Sequence, residues 1–167
     1  RLGSLATKSE AGSPEPAADI GVVSRSLDDR LWTVQLGSDQ GPIRYYLYDR
    51  QTKQARFLFV NRPGLDGIAL APMRPIELRA RDGLPLVSYL PLPRGAASGP
   101  GAPPASPLPL VLLVHGGPWS RDQWGYHPWH QWLANRGWAV LSVNYRGSTG
   151  FGKAFVNAGN MQWAGKM

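Results

Sequence analysis

Apolar and polar positions along the chain follow two different rhythms. Between Ile20 and Val60 the apolar residues come in short blocks: IGVVSRS, LWTVQLGSD, YYLY and ARFLFV. Each block predicts a strand, with Asp28–Asp29 turning the chain between the first two and DRQTKQ closing a hairpin between the last two. Short strands at even spacing fit a sandwich, a barrel or a propeller blade, and no internal repeat chooses among them. Beyond residue 76 the rhythm changes. IELRARDGLPLVSYL predicts a hairpin turning at Asp82–Gly83. The run Leu110–Val114 is continuously apolar, as in a strand covered on both faces. Residues 126–136 predict a helix, with Trp129, Trp132 and Leu133 forming one apolar stripe and Gly137 ending it. WAVLSVNYR predicts a second buried strand. Strand, helix and strand in that order predict a βαβ crossover and therefore a parallel pair.

Three stretches lack either rhythm. Residues 1–18 are small and polar and are expected to be irregular. Residues 61–76 contain three prolines and two glycines and are expected to connect two units. Residues 93–109 hold six prolines and predict a Pro/Gly/Ala-rich loop that merely connects. The expected fold class is α/β, preceded by an all-β piece, with units at 1–70 and 71–167.

Composition narrows the functions available. Hydrophobic residues make up 43% of the 167 and charged residues 17%, which argues against wholesale disorder. Without cysteine there is no disulfide, thiolate metal site or thiol nucleophile. No apolar run approaches the roughly 20 residues that span a bilayer, so no membrane partner is expected. The net charge is +7, yet no run of Lys or Arg occurs. Residues 1–107 intersperse 13 basic with 10 acidic side chains, and the remainder has five basic residues and the single acid Asp122. A nucleic-acid footprint needs clustering, so none is expected. The chain opens on Arg1 with no signal-peptide pattern after it. The expectation is a piece of something longer, with compartment and oligomeric state undetermined.

The chemistry concentrates after the two buried strands. His115-Gly116-Gly117-Pro118 follows the first directly. Paired glycines there permit a tight turn with uncovered N–H groups, which can face a developing oxyanion, each donor worth about 3–4 kcal/mol. An ordinary βα turn is the competing reading. NYRGSTGFG follows the second strand. On parallel strands both loops open at one sheet edge, where open α/β folds place their sites. Three other features are read as structural. His127 and His130, three apart, have no third ligand of suitable type nearby, so no metal is expected. Six of seven tryptophans lie between Trp119 and Trp163 and are assigned to core packing and to contact between the two units rather than to a substrate platform. RGSTGFG lacks the ending of a phosphate-binding loop.

LVLLVHGGPWSRDQWGY, QWLANRGWAVLSVNYRGSTGFGKAF and QWAGKM together resemble the prolyl oligopeptidase family, and within it the acylaminoacyl peptidase and dipeptidyl aminopeptidase branch. The likeness is strong over 108–167 and loose before 70. It implies a β-propeller ahead of an α/β-hydrolase domain and a serine peptidase acting on peptides without a cofactor. It also implies that the Gly117 N–H lines the oxyanion hole, with His115 and Gly116 shaping the turn. Some branches carry a tyrosine donor where His115 stands, so histidine implies the backbone donor, with an imidazole N–H left open. Tyr145, Arg146, Gly147 and Ser148 are expected to brace the site, Arg146 by satisfying carbonyls.

The nucleophile of that family sits in a G-x-S-x-G elbow, followed by Asp and then His. No serine here fits: Ser148 has Gly150 after it but Arg146 two before it. No acid follows Asp122 and no histidine follows His130. The triad is expected beyond Met167, and the isolated polypeptide is expected to be inactive. Two other readings stay open: an esterase- or lipase-like hydrolase, and a non-catalytic binding piece whose half-built sheet exposes an edge.

Overall fold

The computed structural model describes residues 18–99 and 101–167. They form two compact units, one ending at Leu70 and one spanning Ala71–Met167. Most of the expected irregular stretch 1–18 lies outside the described residues. Ala18 does not fit that expectation, for it opens the first strand opposite Ser38.

The first unit is one antiparallel meander of β1 (Ala18–Arg25), β2 (Leu31–Ser38), β3 (Arg44–Asp49) and β4 (Gln54–Val60). The order β1-β2-β3-β4 follows the chain, so each neighbour is joined by a short turn. Asp28 caps the first turn by accepting the Arg30 N–H and the Ser26 hydroxyl, and Asp29 takes a positive φ of 54°. Asp49 does the same for the third turn through the Gln51 and Thr52 amides. Carboxylates placed two residues ahead of an amide stabilise turns in this way. Val34, Tyr46 and Tyr48 are the buried apolar side chains of this sheet. Trp32 lies between the Arg25 and Arg50 guanidinia, each 4.7 Å from its ring centroid.

The second unit contains a four-stranded mixed sheet. β5 (Pro75–Arg79) and β6 (Pro85–Tyr89) form the hairpin turning at Asp82–Gly83, where Gly83 takes φ +83°. β7 (Leu110–Leu113) and β8 (Ala139–Val143) run parallel, with Leu110 opposite Ala139 and Leu113 opposite Ser142. The order is β5-β6-β8-β7, so the crossover carries the chain back inside and leaves β7 at an edge. α1 (Pro128–Ala134) makes that crossover, and α2 (Lys153–Asn157) follows β8.

Three expectations need correction here. α1 is shorter than residues 126–136. Pro128 fits the first helical position because it lacks an N–H and has a fixed φ, and it holds His127 extended at φ −129°, ψ 122°. At the other end Gly137 (φ +89°) closes the helix, with the Trp138 N–H on Leu133 O and its own N–H on Ala134 O. The apolar stripe faces outward: Trp129 and Trp132 are exposed, while His130, Gln131 and Ala134 are buried against the unit. Both buried polar side chains find a partner there, although His130 Nδ1 is buried without one. Gln131 both accepts from the Ala71 N–H (2.9 Å) and donates to Ala71 O (2.8 Å), and His130 Nε2 meets Ser142 Oγ at 2.8 Å. Trp119, Trp138 and Trp163 are exposed as well.

β7 is also covered differently from expectation. Leu110, Leu112 and Val114 are exposed while Val111 and Leu113 are partly covered. An edge strand alternates two faces, and among the described residues only one face has a covering layer.

Candidate active site

Because β7 and β8 are parallel, the loops at their carboxyl ends emerge side by side, and the structure brings them into contact. In the first loop, Gly117 has φ +143°, a region disfavoured for residues with a side chain. A Cβ there would lie 2.7 Å from the Trp119 amide nitrogen and 3.1 Å from that of Ser120. Glycine is therefore required twice, by dihedral and by contact. The Gly117–Pro118 bond is cis, Pro118 is buried, and Gly116 and Gly117 are open to solvent. Among the described residues neither the Gly116 nor the Gly117 N–H donates a hydrogen bond.

His115 joins this turn to the second loop. Its ring stacks on Tyr145 at 4.4 Å between centroids and 15° between planes. Nδ1 faces Gly116 O at 2.8 Å and Nε2 faces Ser148 Oγ at 2.8 Å. A ring nitrogen against a carbonyl must donate, so Nδ1 carries the hydrogen and Nε2 is left to pair with the Ser148 hydroxyl. Both nitrogens are thus engaged, which leaves no imidazole N–H for an oxyanion. The Tyr145 hydroxyl donates to His115 O at 2.9 Å, so Tyr145 holds both ring and backbone of His115. Burial, with Asp122 nearby, raises the Tyr145 pKa and keeps that donor protonated.

The Ser148–His115 pair has the spacing of a nucleophile and base. Ser148, however, is fully buried, and His115 is oriented by a backbone carbonyl rather than a carboxylate. The pair is a brace with no route to substrate.

Arg146 carries the brace outward. It is buried, its Nη2 donates to both carboxylate oxygens of Asp82 at 2.6 and 2.8 Å, and its Nε donates to Lys166 O at 2.9 Å. It thus meets one carbonyl and also a carboxylate in the β5–β6 turn. Arg146 in turn holds the Asp82 pKa below the ordinary carboxylate value. Gly147 (φ +93°) lets the loop approach α2, donating its N–H to Phe155 O at 3.0 Å.

Asn144 and Asp122 were not singled out by the motif reading. Asn144, fully buried, accepts the Asp122 N–H at 2.8 Å and donates to Asp122 O at 3.3 Å. The Thr149 N–H donates to Ser120 O at 2.9 Å, a second tie between the loops. A polar amide directly after a buried strand is the signal that could have marked Asn144. Burial raises the Asp122 pKa, opposed by His115 and His127. The His127 and His130 rings lie 4.4 Å apart, tilted by 38°, and burial lowers both pKa values, that of His130 to about 4. Among the described residues no group of three His, Asp or Glu side chains is placed to hold a metal ion, and no helix is long and apolar enough to cross a membrane.

The comparisons with known proteins point one way. Residues 124–167 match the model of the prolyl oligopeptidase family. The chain is 55% identical over 149 residues to dipeptidyl aminopeptidase BIII of Pseudoxanthomonas mexicana, covering 89% of this chain and 22% of that protein. It is 40% identical over 167 residues to dipeptidyl peptidase family member 6 of Caenorhabditis elegans, covering 92% and 23%. Among solved structures, a Mycobacterium tuberculosis puromycin-hydrolyzing peptidase superposes with a TM-score of 0.67 at 28% identity, over 82% of this chain and 21% of that one. The chain therefore spans about a fifth of the length of its relatives. Sheet order, strand-end loops and these matches agree: residues 124–167 carry the prolyl oligopeptidase signature, and the chain resembles members of that family, which join a β-propeller to an α/β-hydrolase domain.

Proposed function

We propose that these residues are part of a serine peptidase that hydrolyses peptide bonds by acyl transfer, with the Gly117 N–H stabilising the oxyanion. One observation carries this reading: a solvent-facing glycine amide without an acceptor, in a turn that two loops hold rigid through His115, Tyr145 and Ser148. A donor fixed before reaction needs no reorganisation as charge develops on the carbonyl oxygen. A serine hydroxyl, deprotonated by histidine, attacks the substrate carbonyl, and the Gly117 N–H binds the resulting O⁻. Collapse expels the amine, which takes the proton from the histidine; the neutral histidine then deprotonates water, whose attack releases the acid and returns the proton to the serine. No serine here fits the nucleophile elbow, so serine, acid and base are contributed by residues outside these 167. The isolated polypeptide is accordingly inactive. The unit ending at Leu70 belongs to the closing part of a propeller and Ala71–Met167 to the opening part of the hydrolase domain, a division supported by the two compact units.

Gly117→Ala in the full-length protein tests the assignment. Its kcat for a peptide substrate is expected to fall about 10²- to 10³-fold, the loss typical of one oxyanion donor. An unchanged kcat would sink it. The esterase alternative separates in the same assay: ester turnover without peptide turnover would favour it over the peptidase.

A further inference from the structure

We propose that Arg121 is a substrate-recognition residue whose guanidinium takes a carboxylate of the peptide beside the oxyanion turn. This rests on the peptidase reading for its substrate class and on geometry for the site. Arg121 lies four residues after Gly117 in the same loop. Its guanidinium sits 4.5 Å over the Phe151 ring, and Nε donates to Asp122 O at 3.2 Å. These contacts fix the plane and use the inner nitrogen. The other loop is shaped around it: a Cβ at Gly150 would overlap Arg121 Nη1, and Gly150 also takes φ +88°. Among the described residues the terminal nitrogens have no hydrogen-bond or ion-pair partner. By contrast Arg30, Arg44, Arg50, Arg79 and Arg146 each meet a carboxylate. Asp122 does not fill that place here, for its Oδ2 has no hydrogen-bond partner and the charges that act on it are those of His115 and His127. A planar, oriented fork with both outer nitrogens open suits a carboxylate.

The test measures binding to the full-length protein, using peptides whose scissile amide is replaced by a reduced bond. One pair differs only in a C-terminal carboxylate against a carboxamide, and a second, capped pair differs in Glu against Gln at one position. In at least one pair the acid is expected to bind about tenfold or more tighter, as a charge-assisted hydrogen bond would give. That ratio should collapse towards one in Arg121→Gln and survive in part in Arg121→Lys. A merely structural arginine would weaken acid and neutral peptides in proportion, so an unchanged ratio in Arg121→Gln overturns the proposal. So does a wild-type protein with no acid preference in either pair. Turnover of the same peptides with normal bonds is scored separately: no hydrolysis with the ratio intact would reject the peptidase reading and leave this one standing.

Discussion

His130 shows how a single residue in this chain can mislead. Its place three residues after His127 raises the question of a metal pair, yet its ring is 2% exposed and its Nε2 meets Ser142 on β8. Burial, with a smaller contribution from His127, lowers its pKa from 6.5 to about 4. In that interval the unfolded chain binds a proton that the folded chain refuses. Stability from this group is therefore complete above about pH 6.5 and is lost as pH falls towards 4. Denaturant melts of the full-length protein at pH 7, 5.5 and 4.5 should show a steeper decline for wild type than for His130→Gln. Equal slopes would mean that His130 titrates normally. The tight turn at Gly117 was legible from sequence, because paired glycines after an apolar run permit the positive φ that the turn takes. The occupation of both His115 nitrogens was not legible, since it depends on Ser148, 33 positions away.

At the scale of elements, strand positions were read well, but the cover of β7 and the buried face of α1 were not. Strand alternation is local, and a one-residue slip would move every side chain to the wrong face. The buried face of α1 instead depends on Ala71, whose amide and carbonyl are both satisfied by Gln131. No periodicity in 126–136 records that partner. The docking of α2 on the site loop is equally non-local. Gly147 and Gly159 meet backbone to backbone, and a Cβ on Gly159 would lie 2.8 Å from Gly147 Cα. Gly159→Ala is expected to cost about 1–3 kcal/mol, as overpacking of a tight contact does. It should also lower turnover by displacing the Tyr145–Ser148 brace. A melting temperature and rate equal to wild type would show that the contact can relax.

For the whole molecule, exposure is the governing feature. Leu110, Leu112 and Val114 leave one face of β7 open, and β7 is an edge strand. Exposed apolar edges template association. The 167-residue polypeptide alone is expected to self-associate and to bind a dye for apolar surface. A monomer by light scattering that melts cooperatively would contradict this. The sequence by itself determined the strands, their turns, the parallel crossover and the glycine turn, because period-two alternation and glycine stereochemistry act between neighbours in the chain. Only the tertiary structure decided which face of α1 is buried, that Ser148 and Tyr145 hold His115, and that Arg121 keeps its outer nitrogens open. Those outcomes depend on which distant polar groups meet, and hydrogen-bond satisfaction between segments leaves no period in a sequence.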